Sequence, residues 1–373
     1  MKNKNRICWI TASYMLQVDL PLLATLTKDF NIDWYFWGNR ESSTGKTALK
    51  YAEDNNIPLN FIEKGRFIFH PGNFFDQKEI IKGLAKLDYS IYYFDISTFP
   101  WMLSLIKRYI PENKVVIAMH HGKPHSGMRF KPLYFPFLKY INKQNCYLQY
   151  FSNNQAEAYA GGNIDRRYII PLALNDFGVV SAKPRDDGKV VFTVFGNIIP
   201  SKNVGLLISA ANKLWEEYAG KFVVKIVGHC KNWQSVYQPL IKYGDAFELD
   251  IRRIEESEIP KLFGESHYLV LPYKSVTQSG PLRIAYGYNV PVIASDLDGF
   301  KESVVEDVTG LLFSEGDIDS LYSVMRSTIE NHPLMYDEIK RSQKRYVDEN
   351  LSTKSVCDQY VKMFNEILSD RCQ

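Results

Sequence analysis

Three of the seven histidines stand in one run, His120-His121-Gly122-Lys123-Pro124-His125-Ser126, directly after the apolar stretch KVVIAMH that ends at His120. Imidazoles at this density could ligate a metal, move a proton or hold a substrate hydroxyl. A metal site would need the rings to converge and a carboxylate to complete the set. No Asp or Glu follows within thirty residues, and neighbours on a strand point to opposite faces, so His120 and His121 should diverge. The residues therefore argue against metal and leave substrate contact or a structural role open.

A second chemical stretch is VLPYKSVTQSGPLRIAYGYNVPVIASDLDGFKESV, Val270–Val304. An apolar strand reads to Tyr273 and is followed by a small, polar loop with Ser275, Thr277, Gln278, Ser279 and Gly280. A helix should begin near Pro281, since proline suits a first helical turn. The free N–H groups and positive dipole end of such a helix make an anion site, and glycine at 280 allows close approach. An ordinary β–α turn is the plainer reading. The run STGKT, Ser43–Thr47, resembles the end of a phosphate-binding loop, but Arg40 stands where that motif requires glycine. It reads as a solvated loop outside any strand–turn–helix unit.

These residues need a scaffold, and the chain is long for one domain at 373 residues, so two are expected. With 45% hydrophobic and 14% aromatic residues it can fill two cores. Buried-strand runs (RICWITAS, IDWYFWG, YSIYYFDIS, KVVIAMHH) alternate with helical patterns (DLPLLATLTKDF, FPWMLSLIKRYI), and CYLQYFS and RYIIPLAL complete the first half. The stretch 175–189, NDFGVVSAKPRDDGK, has linker composition. A second alternation opens at VVFTVFG and runs through NVGLLISAANKLWEEYA, KFVVKIVG, YLVLPY, VPVIAS and TGLLFS. The reading is two α/β domains of parallel sheets, 1–175 and 176–350, with a C-terminal helix at about 351–373 packing back on the first. Ligands in such folds bind at the carboxyl ends of the strands, so the site is expected between the domains.

Several classes are excluded. The start MKNKNRICWITASYML lacks the apolar core and cleavage pattern of a signal peptide, and no run approaches the ~18 apolar residues of a membrane span. Five scattered cysteines without a CxxC pair suit reduced thiols in the cytoplasm, not a zinc–thiolate site. Residues 1–175 carry 22 Lys and Arg against 14 Asp and Glu, whereas 176–373 carry 23 against 28. The basic half should face an anionic partner. No nucleic-acid recognition motif is present; the run 128–145 instead interleaves Arg129, Lys131, Lys139 and Lys143 with five aromatics, which suits a lipid headgroup layer.

Together, FGNIIPSKNVGLLISAANKL, IRRIEESEIPKLFGESHYLVLPY and GYNVPVIASDLDGFKE resemble the C-terminal domain of the retaining glycosyltransferases of family 4. The resemblance implies the GT-B fold, two Rossmann-like domains with parallel sheets facing a central cleft. It assigns acceptor binding to the first domain and nucleotide-sugar binding to the second. The implied donor-binding residues are Gly196, Asn197, Lys202, Arg253, Ile254, Thr277, Gln278, Ser279, Gly280 and Arg283, with Lys202 on the diphosphate. His120 matches the family's strand-end histidine beside the reacting sugar, so His120 and Lys202 are the implied catalytic pair. Asp19, His121 and His125 are the acceptor-side candidates, Asp19 equally suiting the N-cap of the helix that follows it.

The chain departs from the family at three positions. Its paired glutamates, eight residues apart, fall on Val276 and Ile284, and an arginine usual five residues before the lysine is Asn197. The expected activity is transfer of a sugar from a nucleotide-sugar to a lipid-linked or polysaccharide acceptor with retention of configuration, in cell-surface polysaccharide synthesis. The alternative is a non-catalytic nucleotide-sugar-binding protein on the same fold. No cofactor or metal and no nucleic-acid partner is expected. The expected location is the cytoplasm, at the inner face of the membrane where 128–145 meets lipid.

Overall fold

A computed structural model describes residues 4–63, 72–96, 100–120, 145–157, 164–174, 177–180, 182–185, 187–276 and 278–370. The chain divides into two compact units, one of Met1–Ala173 with Leu351–Gln373 and the other of Leu174–Asn350.

The first unit is built on a seven-stranded sheet of β1 (Arg6–Ala12), β2 (Asn31–Trp37), β3 (Leu59–Ile62), β4 (Ile91–Asp95), β5 (Val115–Met119), β6 (Tyr147–Tyr150) and β7 (Arg167–Ile169). The order is β3-β2-β1-β4-β5-β6-β7 and every pairing is parallel. Strands covered on both faces read as continuous apolar runs, which is why β1, β4 and β5 are nearly unbroken. Their side chains alternate between two cores: Ile7, Trp9, Tyr93 and Val116 enter one, and Cys8, Ile10, Tyr92 and Phe94 the other. The first core is closed by the helix Thr353–Ser369, which contributes Val356, Cys357, Tyr360, Met363, Phe364 and Ile367. Tyr360 and Phe364 pack at 5.7 and 6.3 Å from Trp9, ring centre to ring centre.

The second unit has a six-stranded parallel sheet: β8 (Val190–Phe195), β9 (Phe222–Val227), β10 (Phe247–Asp250), β11 (Tyr268–Leu271), β12 (Val292–Ser295) and β13 (Gly310–Phe313). Its order is β10-β9-β8-β11-β12-β13. In each sheet the strand order reverses beside the first strand, between β1 and β4 and between β8 and β11. Helical crossovers leave opposite faces at such a point, so a crevice opens at the strands' carboxyl ends.

Two details correct the sequence reading. Ser43–Thr47 is the start of the helix Ser43–Asp54, which follows β2 through a short turn and is capped by Ser42, whose Oγ accepts from the Gly45 N–H at 3.0 Å. The strand–turn–helix geometry is therefore present, and the cap occupies a donor that a phosphate would need. β11 stops at Leu271, two residues before Tyr273. Among the described residues no helix is long and apolar enough to cross a membrane.

Candidate functional site

In the second unit the site is made by two loops that leave neighbouring strands. β8 runs into Gly196, whose φ of +112° is a left-handed conformation that favours glycine. Its neighbour across the sheet, Gly228, is glycine because a Cβ there would lie 1.9 Å from the Gly196 carbonyl oxygen. The chain then forms the short turn Pro200–Lys202, and Asn203, itself left-handed with φ +49°, leads into the helix Val204–Tyr218. The loop after β11 meets this turn: the Lys274 N–H donates to the Ser201 carbonyl at 2.9 Å. Lys202 Nζ lies 3.6 Å above the centre of the Tyr273 ring, which is 2% exposed. Burial pulls the Lys202 ammonium down from 10.5 to about 8, so the site holds an under-solvated cation.

The same loop leads into the helix Gly280–Gly287, whose N-cap is Ser279. Ser279 Oγ accepts from the Leu282 N–H at 3.3 Å, and Pro281 has no N–H. Of the first-turn donors, that of Gly280 remains for an anion. A Cβ on Gly280 would meet open space, whereas one on Gly196 would touch Pro281 Cγ at 3.6 Å. Gly196, Lys202, Ser279 and Gly280 are thus brought together, with Asn197 exposed beside Gly196 and Gln278 half-buried before the cap. Arg283 lies in the first helical turn, its N–H on the Ser279 carbonyl at 3.3 Å. Arg253 and Ile254 stand apart, in the loop after β10, two strands from β8. There Arg252 pairs with Asp250 and Glu258, and Arg253 is exposed. Thr277 lies outside the described residues. At the positions where glutamates were sought, Ile284 is 7% exposed, and the carbonyl oxygen and Cγ1 of Val276 lie 3.0 and 3.1 Å from where a Gly299 Cβ would sit. Both are packing positions.

In the first unit, polar groups gather at the carboxyl ends of β1, β4 and β5. His120 follows β5 and stacks on Phe151 with ring centres 4.4 Å apart. Its carbonyl accepts from Gln155 Nε2 at 2.9 Å. Its Nε2 is hydrogen-bonded to Oδ1 of Asp95, the last residue of β4, which is fully buried. Asp19 corrects the sequence reading: it lies inside the helix Leu16–Leu26, not in the loop, and the N-cap is Met15. It is 1% exposed and points inward, where Oδ2 accepts from Trp9 Nε1 at 2.9 Å and from Thr11 Oγ1 at 2.5 Å. Trp34 Nε1 donates to Thr11 Oγ1 at 2.9 Å. A group so enclosed cannot touch an acceptor directly. Burial raises the Asp95 carboxyl to about 7 and the Asp19 carboxyl well above its usual range, and lowers the His120 imidazole to about 4. His121, His125 and residues 128–144 lie outside the described residues.

Sequence reasoning missed Asp95 and Tyr273. It sought a carboxylate only downstream of the histidines, whereas Asp95 is 25 residues upstream at the end of the adjacent strand; a lone acid closing the run IYYFD was the available signal. Among the described residues no group of three or more His, Cys, Asp or Glu could hold a metal ion.

The family model described as Glycosyl transferases group 1 matches residues 189–331, the stretch that holds the whole Lys202 cluster. No curated protein matches the chain. Among solved structures, a glycosyltransferase from Rickettsia africae ESF-5 is similar with a TM-score of 0.77 at 14% identity, covering 99% of this chain and 100% of that one. HepE of Anabaena, solved with UDP and glucose, has a TM-score of 0.71 at 15% identity over 97% of this chain and 99% of its own. Sucrose-phosphate synthase from Thermosynechococcus elongatus has a TM-score of 0.71 at 13% identity, covering 98% and 100%. At these identities the likeness is one of fold. Residues 189–331 accordingly match a glycosyl transferases group 1 domain, in a chain with the GT-B fold.

Proposed function

We propose that this chain is a glycosyltransferase moving a sugar from a nucleoside-diphosphate-sugar to a saccharide or lipid-linked acceptor, with retention of configuration, in the synthesis of a cell-surface polysaccharide. The observation that carries this reading is the Lys202 cluster: a desolvated ammonium on Tyr273, the left-handed Gly196 and the capped helix start at Ser279–Gly280, all within the matched domain. When the bond from the sugar C1 to the diphosphate oxygen breaks, negative charge gathers on the departing phosphate. In this reading the Lys202 ammonium and the Gly280 N–H, at the positive end of its helix, stabilise that charge without a metal. The complex of HepE with UDP and glucose makes UDP the first nucleotide to test. The first unit supplies the acceptor side, with His120 holding a sugar hydroxyl. The departing phosphate takes the acceptor's proton, as the family 4 resemblance implies. The basic and aromatic run 128–145 supports a lipid-linked acceptor and contact with the inner face of a membrane.

A second reading, a nucleotide-sugar-binding protein without transfer, is favoured by the apolar packing of Val276 and Ile284. The experiment is a binding and hydrolysis screen with UDP-, GDP-, dTDP- and CMP-sugars on the wild type, Lys202→Ala and His120→Ala. Slow release of one nucleoside diphosphate, with Lys202→Ala losing binding and His120→Ala losing mainly turnover, is the expected result. Binding without turnover supports the second reading, and binding that survives both changes overturns the site.

A further inference from the structure

Four carboxyl oxygens are buried behind His120, and only two of them meet a donor of the usual kind. Asp19 Oδ2 takes Trp9 and Thr11, and Asp95 Oδ1 takes His120 Nε2. Among the described residues Asp19 Oδ1 and Asp95 Oδ2 are enclosed and meet no N–H or hydroxyl donor, yet the two carboxyl groups are neighbours: Thr11, which donates to Asp19, stands opposite Asp95 in the register of β1 and β4. Ionising two neighbouring carboxyl groups in a buried site is strongly unfavourable. One proton on the inner pair of oxygens satisfies both at once.

We propose that Asp19 and Asp95 hold one proton between them and present a single negative charge to His120, fixing its ring with the proton on Nε2 and the Nδ1 lone pair free to accept from a substrate hydroxyl. The identity of that hydroxyl as a sugar's rests on the function proposed above; the proton arrangement does not. Asp19 and Asp95 are positioning residues that act through His120. The balance of hydrogen bonds supports the arrangement. A carboxylate facing Nε2 requires a donor there, so the remaining proton of a neutral imidazole is on Nε2. Other groups around the pair leave this balance alone. Tyr93 on β4 and Tyr360 on the C-terminal helix are raised by burial and stay neutral, as does Cys357, raised to about 12. Thr11, Trp9 and Trp34 on β1 and β2 are uncharged donors. Burial opposes a proton on Nδ1 until well below neutrality. The arrangement also explains why an acid lies inside the helix Leu16–Leu26, where an apolar residue would otherwise close the core.

The test is a long-range proton–nitrogen correlation spectrum of histidine-labelled protein, which reads each ring's tautomer, with the His120 signals assigned by their loss in His120→Gln. The wild type should show His120 protonated on Nε2 and bare on Nδ1 from pH 5.5 to 8.5. Asp19→Leu removes the shared proton's partner and should disturb this signature, and Asp19→Asn, whose amide donates where the carboxyl did, should restore it. The double change Asp19→Asn with Asp95→Asn sets two amide donors face to face and should abolish it. A wild-type ring protonated on Nδ1, or on both nitrogens at pH 7, overturns the proposal, as does Asp19→Asn behaving like Asp19→Leu. The wild-type spectrum decides even where a variant fails to fold. Absence of sugar transfer with every donor would defeat the proposed function and leave this measurement intact.

Discussion

Lys202→Met tests the donor-binding role proposed for Lys202, because the sign of its effect on stability should differ with and without nucleotide. A pKa lowered from 10.5 to about 8 corresponds to about 3 kcal/mol at full burial, or on the order of 2 kcal/mol once partial exposure is allowed for. The Tyr273 ring at 3.6 Å returns about 1 kcal/mol as a cation–π contact. Without nucleotide the protein is therefore about 1 kcal/mol less stable at pH 7 than with methionine, and Lys202→Met should raise Tm by about 2–4 °C. Below pH 8 the lysine is charged in both the folded and unfolded states and the desolvation cost is present in full. Between pH 8 and 10.5 the unfolded chain binds a proton that the folded one has released, so wild-type stability gains with pH and the gap closes. On the proposed function UDP should reverse the order. Loss of a charge-assisted contact removes about 1.5–3 kcal/mol, so Kd for UDP should rise about 10- to 150-fold. Wild-type affinity should also fall above pH 8, and that of the variant should not. Thermal melts with and without UDP, and titration calorimetry at pH 7 and 9, provide the check. A variant that melts lower at pH 7 and binds UDP as well as the wild type would refute the reasoning.

Further outcomes concern the frame around the site. Ser279→Ala removes the cap of the helix Gly280–Gly287, and thermal melts should register the loss of about 1 kcal/mol. Gln343, fully buried, donates to the Val290 and Thr309 carbonyls at 3.1 and 3.0 Å. Gln343→Leu leaves both unpaired, and denaturant unfolding should show a loss of about 2–4 kcal/mol. Gly228→Ala would press a methyl 1.9 Å from the Gly196 oxygen at a φ of +143°; soluble yield and UDP binding should both fall, whereas alanine at Gly244, where a Cβ meets open space, should leave UDP binding unchanged.

The two parallel sheets were legible because their central strands are buried on both faces and read as unbroken apolar runs flanked by turn residues. The edges were not. β3 and β10, LNFI and FELD, are four residues long and mix polar with apolar members, with Asn60 exposed in one and Leu249 in the other, so neither period nor composition separates them from loop. The small polar loop before Pro281 was legible from its own residues, whereas Gly196 and Lys202 were named only through the resemblance to family 4. The residue under the lysine, Tyr273, was not, since a tyrosine closing an apolar strand looks like any core aromatic. Asp19 shows a different limit. An acid before a proline and a run of leucines reads as a helix start, and only the tertiary structure shows it already one turn inside, bonded to Trp9 and Thr11. Asp95 acquires its meaning from β5, which brings His120 alongside it.

The helix Thr353–Ser369 has a consequence for the order in which the molecule comes into being. It supplies six buried side chains to a core whose other members lie mostly before residue 120 and end at residue 173. A ribosome delivers the whole of Leu174–Asn350 before it delivers Tyr360 or Phe364. The inserted unit has every strand of its own sheet by then and can fold first, while Trp9 and Tyr93 wait with one face uncovered. Nascent chains arrested before residue 351 should therefore resist protease across 190–330 and be cut within 6–120. Protection of the earlier segment should arrive only with the last seventeen residues of helix.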